Sequence, residues 1–297
     1  MKKLFLSLLV LFTSICTFAQ QDINTTIKNA ENGNKIAQYN LAATYFSGGQ
    51  GLPQDYKKAF VWAEKSALQG FVPAYNLLGN LYMEGQGTAK DLNKAEAWLK
   101  KGVEDNDIYC MFTLGQLYAS KQMNRYEEGI KLLTALAEKD DYYAMNALGL
   151  AYNDLGQNDT AIEWFNKAAA KGSLSAKANL GALYLNGRNG FPIDYDKAAL
   201  WNRHAAEAGS KIAKHNLAIA YYKLGEMLLL EKEFDDAVIY LMRAASNEDN
   251  PIPEAMRKLS ACFRYGYGVE KDASKEVFYM KEAAKLNDAK AMEILGF

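Results

Sequence analysis

The chain is poor in the residues that build most catalytic and metal sites. Among 297 residues there are two histidines, three cysteines and five prolines. His204 and His215 lack the H-E-x-x-H spacing that would put two imidazoles on one helix face. No serine has a lysine three residues on, which excludes the S-x-x-K arrangement of a serine β-lactamase. No Gly-Lys pair occurs, so there is no phosphate-cradling P-loop. The carboxylates are scattered along solvated faces and give no paired acid–base set. Nothing in the sequence calls for a cofactor or a metal. An excess of basic charge is missing too. The formal net charge is −1, and removing Lys2 and Lys3 with the leader described below gives about −3. Nucleic acid needs a basic footprint that this chain does not have.

Long apolar runs are confined to the N-terminus. Lys2 and Lys3 precede a largely apolar Leu4 to Phe18, and Thr17-Phe18-Ala19 is a small-x-small cleavage site. Residues 1–19 therefore read as a secretory signal peptide, and the mature chain as periplasmic or secreted. The run is too short for a membrane anchor. A lipoprotein reading through Cys16 ranks second, because Ile15 is large where a small residue is wanted. Only Cys110 and Cys262 remain after cleavage. They lie four repeats apart on the pattern below, which predicts two reduced, buried thiols rather than a disulfide.

What the chain has in abundance is a repeated pair of helices. In Ala74 to Asn106, Ala74, Leu78 and Tyr82 fall at i, i+4 and i+8 on one helical stripe. Gly85 and Gly87 break that helix, and Asp91 is placed to cap the next one. Ala95, Trp98 and Leu99 form a second apolar stripe, and Asn106 ends it. The opening alanine recurs at Ala37, Ala144, Ala176, Ala213, Ala255 and Ala291, with Cys110 in its place once. A leucine follows four residues on in every case, from Leu41 to Leu295, and then a small residue. The four tryptophans, Trp62, Trp98, Trp164 and Trp201, share one position in the second helix and are read as core. From that position to the next alanine is twelve residues, except where Asn250-Pro251-Ile252-Pro253 lengthens the link. One narrow stripe per helix buries little by itself, so neighbouring pairs must stack to make a core. The repeats run over 34–70, 71–106, 107–140, 141–172, 173–209, 210–250 and 252–287, with half-repeats at 22–33 and 288–297. No second domain is indicated.

The pattern A-x3-L-G-x2-Y, G-x-G, D-x3-A and W-x2-K/R-A-A-x2-G resembles the Sel1-like repeat family, relatives of tetratricopeptide repeats. The fifth unit, AKANLGALYLNGRNGFPIDYDKAALWNRHAAEAG, carries it most fully. The third and fourth units look more like tetratricopeptide repeats. The resemblance implies an all-α fold, a right-handed α-solenoid of stacked antiparallel helix pairs, and a non-catalytic role as adaptor or scaffold. It also implies an alternative, an envelope hydrolase of the kind proposed for cysteine-rich relatives. This chain lacks their cysteine pairs.

In such a stack the first helix of each pair lines the concave side. Its residues between the core alanine and leucine are the candidate contacts for a protein or peptide: Tyr39, Asn40, Asn76, Phe112, Asn146, Asn179, His215, Asn216, Arg257 and Lys258. Asparagine both donates to and accepts from a peptide backbone. Lys214, Arg257 and Lys258 would receive a carboxylate. The same asparagines also belong to the repeat pattern and would serve equally to hold neighbouring repeats together.

Overall fold

The computed structural model describes residues 23–187, 190–247 and 249–297. The expected signal peptide, Cys16, and Arg188 and Asn189 of one turn lie outside the described residues. Among the described residues there are sixteen helices and no strand; one isolated bridge, Gly49 to Leu52, closes the first turn. They fall into two compact units that divide between Glu138 and Lys139. The first unit holds α1 (23–31), α2 (Lys35–Ser47), α3 (Tyr56–Leu68), α4 (Val72–Glu84), α5 (Leu92–Glu104), α6 (Ile108–Tyr118) and α7 (Tyr126–Ala137). The second holds α8 (Tyr142–Asp154), α9 (Asn158–Ala170), α10 (Leu174–Asn186), α11 (Tyr195–Glu207), α12 (Lys211–Glu231), α13 (Phe234–Ala245), α14 (Pro253–Tyr265), α15 (Ala273–Lys285) and α16 (Ala289–Leu295). Within each unit every helix packs on its neighbours in sequence, which is the stacked-pair architecture that the periodicity predicts.

A size rule holds the pairs of the second, third and fourth repeats together. The glycine beside the core leucine of the first helix faces one large residue of the second. A Cβ on Gly79 would lie 2.7 Å from Leu99, on Gly115 2.9 Å from Leu133, and on Gly149 2.5 Å from Phe165. Those partners are fully buried, and each sits one residue after the position that holds the tryptophans. The tryptophans themselves are only half-buried. Three of them have a cation over the indole face: Lys65 at 4.3 Å from Trp62, Lys101 at 4.1 Å from Trp98, Lys167 at 4.2 Å from Trp164. The residue after each tryptophan is thus the fully buried one, and Trp62 and Trp98 pack against that core from its edge. The sixth repeat shifts the rule along the helix. α12 is 21 residues long, Leu217 is only half-buried, and the facing glycine is Gly225, seven residues beyond Ala218, where a Cβ would lie 2.7 Å from Leu241.

The long turns are built by two further devices. Asp55, Asp91, Asp194 and Asp272 cap the second helices, each accepting from the amide three residues on. The residue at that amide is lysine every time. Its ammonium lies over the aromatic ring of the first helix, at 5.1, 5.6, 5.2 and 5.1 Å from Tyr45, Tyr82, Tyr184 and Phe263. The second glycine of G-x-G touches backbone: a Cβ on Gly87 would lie 2.0 Å from the Tyr56 carbonyl oxygen, and one on Gly268 2.2 Å from that of Phe234. Cys110 and Cys262 are buried free thiols, and burial pushes both up, Cys262 to about 11.

Candidate functional site

The first-helix residues singled out from the sequence divide by what they bond. In the first unit Tyr39 packs its ring on Phe71 at 5.4 Å, Asn40 is exposed and Phe112 is half-buried. The Asn76 side-chain oxygen accepts from the Thr113 hydroxyl of the next repeat at 2.7 Å. In the second unit the Asn179 amide donates to the Asn146 oxygen at 2.9 Å. Both bonds join one first helix to the next, so these amides tie repeats together while a second polar atom of each remains for other contacts. His215 is exposed and Asn216 half-buried.

The cations are committed. Lys214 holds Asp249 at 2.9 Å, Arg257 holds Asp288 at 3.1 Å, and Lys258 lies 3.4 Å from Glu226. Glu226 also takes Lys223 at 2.9 Å. Burial raises the Glu226 carboxyl, but the Tyr222 hydroxyl and Lys223 more than reverse this and hold it below its ordinary value. Burial and the bond to Glu226 push the Tyr222 hydroxyl up. The positive end that was expected to receive a carboxylate is thus already filled by carboxylates of this chain.

Beside this network the second unit has a cavity of about 600 Å³. One wall is α12, with His215, Ile219, Tyr222 and Lys223; the other is the inserted link through Pro251 and Pro253, ending at Glu254. Two departures from the repeat make it: the long first helix, and the link that breaks the twelve-residue spacing. Sequence reasoning found His215 but missed Tyr222, Lys223 and Glu254. The broken spacing was the available signal. A second cavity of about 150 Å³ lies at Asn179, Asn186 and Phe165, on the same first-helix face. Among the described residues no group of three or more His, Cys, Asp or Glu is placed to hold a metal ion. No described helix is long and apolar enough to cross a membrane.

Paired helices, a repeated glycine contact and open first-helix surfaces define an α-solenoid repeat protein. The Sel1 repeat pattern matches residues 35–71, 72–107, 174–210, 213–249 and 253–288, and a tetratricopeptide repeat pattern matches 115–176. The chain belongs to the Sel1 repeat family. The tetratricopeptide match falls where the turns are short, as expected for the third and fourth units. The chain is similar to the Sel1-repeat-containing protein YjcO of Escherichia coli (strain K12), 28% identical over 165 residues, which are 55% of this chain and 69% of that protein. It is similar to the crystal structure of a Sel1 repeat protein from Oxalobacter formigenes, with TM-score 0.56 and 25% identity over 95% of this chain and 84% of that one. It also resembles a protective antigen of uropathogenic Escherichia coli strains displaying an SLR fold, with TM-score 0.55 and 27% identity over 93% of this chain. This chain spans 59% of that protein's length. Sel1 repeat proteins generally mediate protein–protein interaction.

Proposed function

We propose that this protein is an exported, non-catalytic adaptor that binds a protein or an extended peptide on its first-helix face. The observation that carries the reading is the cavity between α12 and the inserted Pro251–Pro253 link, lined on the first-helix side by the exposed His215 and by Ile219, Tyr222 and Lys223. A preformed surface of many modest contacts binds with little ordering cost. The experiment places a photo-crosslinking amino acid at Ile219 on the first-helix face or at Arg203 on a second helix, in the organism that makes the protein. Adducts from position 219 are expected to exceed those from 203 severalfold. Equal yields from the two positions would defeat the assignment of the face. Purified mature protein is expected to begin at Gln20.

A further inference from the structure

The cavity of the second unit has a charge imbalance that identifies the group it takes. Its lining carries one cation, Lys223, and two carboxylates, Asp249 and Glu254. Lys223 is bonded to Glu226 and Asp249 to Lys214. Glu254 is half-buried and makes no hydrogen bond or ion pair with any described residue. Arg257, on the same helix, is turned to Asp288, and Lys258 to Glu226. Among the described lining residues, Lys223 and Asp249 have partners from this chain and Glu254 does not; its field reaches the Tyr222 hydroxyl.

A position in the first turn of α14 gives Glu254 some support from the helix dipole. That support is not a need of the repeat. The same place in the other first helices holds Ile36, Pro73, Tyr109, Tyr143, Ser175, Ile212 or Lys290. The acid is particular to the repeat where the link lengthens and the cavity opens. Around it the walls are apolar: Ile219, the Tyr222 ring, Pro251 and Pro253. A carboxylate at the end of an apolar pocket matches a long side chain with an aliphatic stem and a cationic head.

We propose that this cavity is a specificity pocket for a lysine or arginine side chain of the bound segment, with Glu254 as the group that receives its charge. This rests on the first-helix face being a peptide surface and adds which residue is read there. It reverses the sign expected from the sequence, in which Lys214, Arg257 and Lys258 were to receive an acid.

The test uses the full mature chain and fluorescent heptapeptide pools that fix only the central residue as lysine, arginine, norleucine or glutamate. Fluorescence anisotropy at low salt is expected to give lysine and arginine pools about tenfold tighter than norleucine, with glutamate weakest. Glu254→Gln, with a parental melting profile, is expected to bring the lysine pool to the norleucine level and leave the norleucine pool unchanged. Glu254→Lys is expected to bring the glutamate pool above the lysine pool. Pools that bind without a cation preference, or a preference that survives Glu254→Gln, overturn the pocket and leave the peptide surface standing. No binding by any pool overturns both.

Discussion

The second and fourth repeats solve the same packing problem and close it differently. Both set a glycine of the first helix against a large buried residue of the second: Gly79 against Leu99, Gly149 against Phe165. In the second repeat the link between helices runs through Gly85 and Gly87, is capped by Asp91 and carries Lys94 back over Tyr82. In the fourth, α8 is followed by a short turn through Gly156, and the N-cap residue Gln157 makes no side-chain cap. Between these two repeats the interior contact is kept and the turn differs. The long turn closes its own pair and also rests on the second helix before it, at Tyr56 and Lys57, whereas nothing lies within 4 Å of a Cβ at Gly156 in the short one.

Glycine substitutions would break this comparison most sharply. Gly87 and Gly156 have nearly the same left-handed backbone, with φ of 74° and 73°. Their surroundings differ. A Cβ at Gly87 would fall on the backbone of Tyr56 and Lys57, whereas nothing lies within 4 Å of one at Gly156. Gly156→Ala is expected to cost about 1 kcal/mol, the conformational penalty alone. Gly87→Ala adds a clash with backbone that cannot rotate away, and about 4 kcal/mol or more is expected. Urea unfolding followed by helicity measures both. Similar losses at the two sites would mean that the long turn does not rest on the preceding second helix.

A smaller effect separates the two neighbours in α5. Leu99 is fully buried against Gly79, and Leu99→Ala is expected to cost about 3 kcal/mol. Trp98 is larger but half-buried, stacked on Tyr75 at 5.6 Å and covered by Lys101. Trp98→Ala is expected to cost about 2 kcal/mol, since much of its surface stays in water. Melts that rank Trp98→Ala as the worse of the two would return the indole to the core.

This ordering also shows how far the sequence could be read. The repeat period, the alanine–leucine stripe, the glycine turns and the aspartate caps were legible because each is local: a spacing, a breaker or a capping side chain. Trp98 and Leu99 were not separable that way. Both lie on the apolar arc of one helix, and only the facing glycine, twenty residues away, decides which of them points inward. The site was legible to the same degree. His215, Arg257 and Lys258 lie on first helices, α12 and α14, because position in the repeat fixes the helix. That Arg257 and Lys258 are neutralised by Asp288 and Glu226 was not visible, since those carboxylates come from neighbouring repeats about thirty residues off. Glu254 was passed over as one more surface acid. Its significance lies in the absence of a partner among the described residues, which no local pattern records.

The junction between the two kinds of repeat gives the smallest effect and a pH signature. Glu96 of α5 bonds Lys100 at 2.6 Å, the Tyr118 hydroxyl at 2.8 Å and Arg125 at 2.9 Å. Arg125 stands at the head of α7, where the long-turn repeats have their aspartate, and its guanidinium lies 3.9 Å from the Tyr118 ring centre. A cation from the short-turn repeat thus answers a carboxylate of the long-turn one. Burial raises the Glu96 carboxyl, but the bonds from Lys100, Arg125 and Tyr118 outweigh it and hold it at about 2, against an ordinary 4.5. The folded state therefore binds this proton less readily than the unfolded chain does. The contribution to stability is complete above pH 4.5 and is lost as pH falls toward 2. Solvent screening keeps it to about 1 kcal/mol. Urea midpoints of the parent and Glu96→Gln should differ most at pH 6 and converge near pH 2. A difference that stays constant across that range would mean that the carboxylate's charge contributes nothing and that the variant loses only shape.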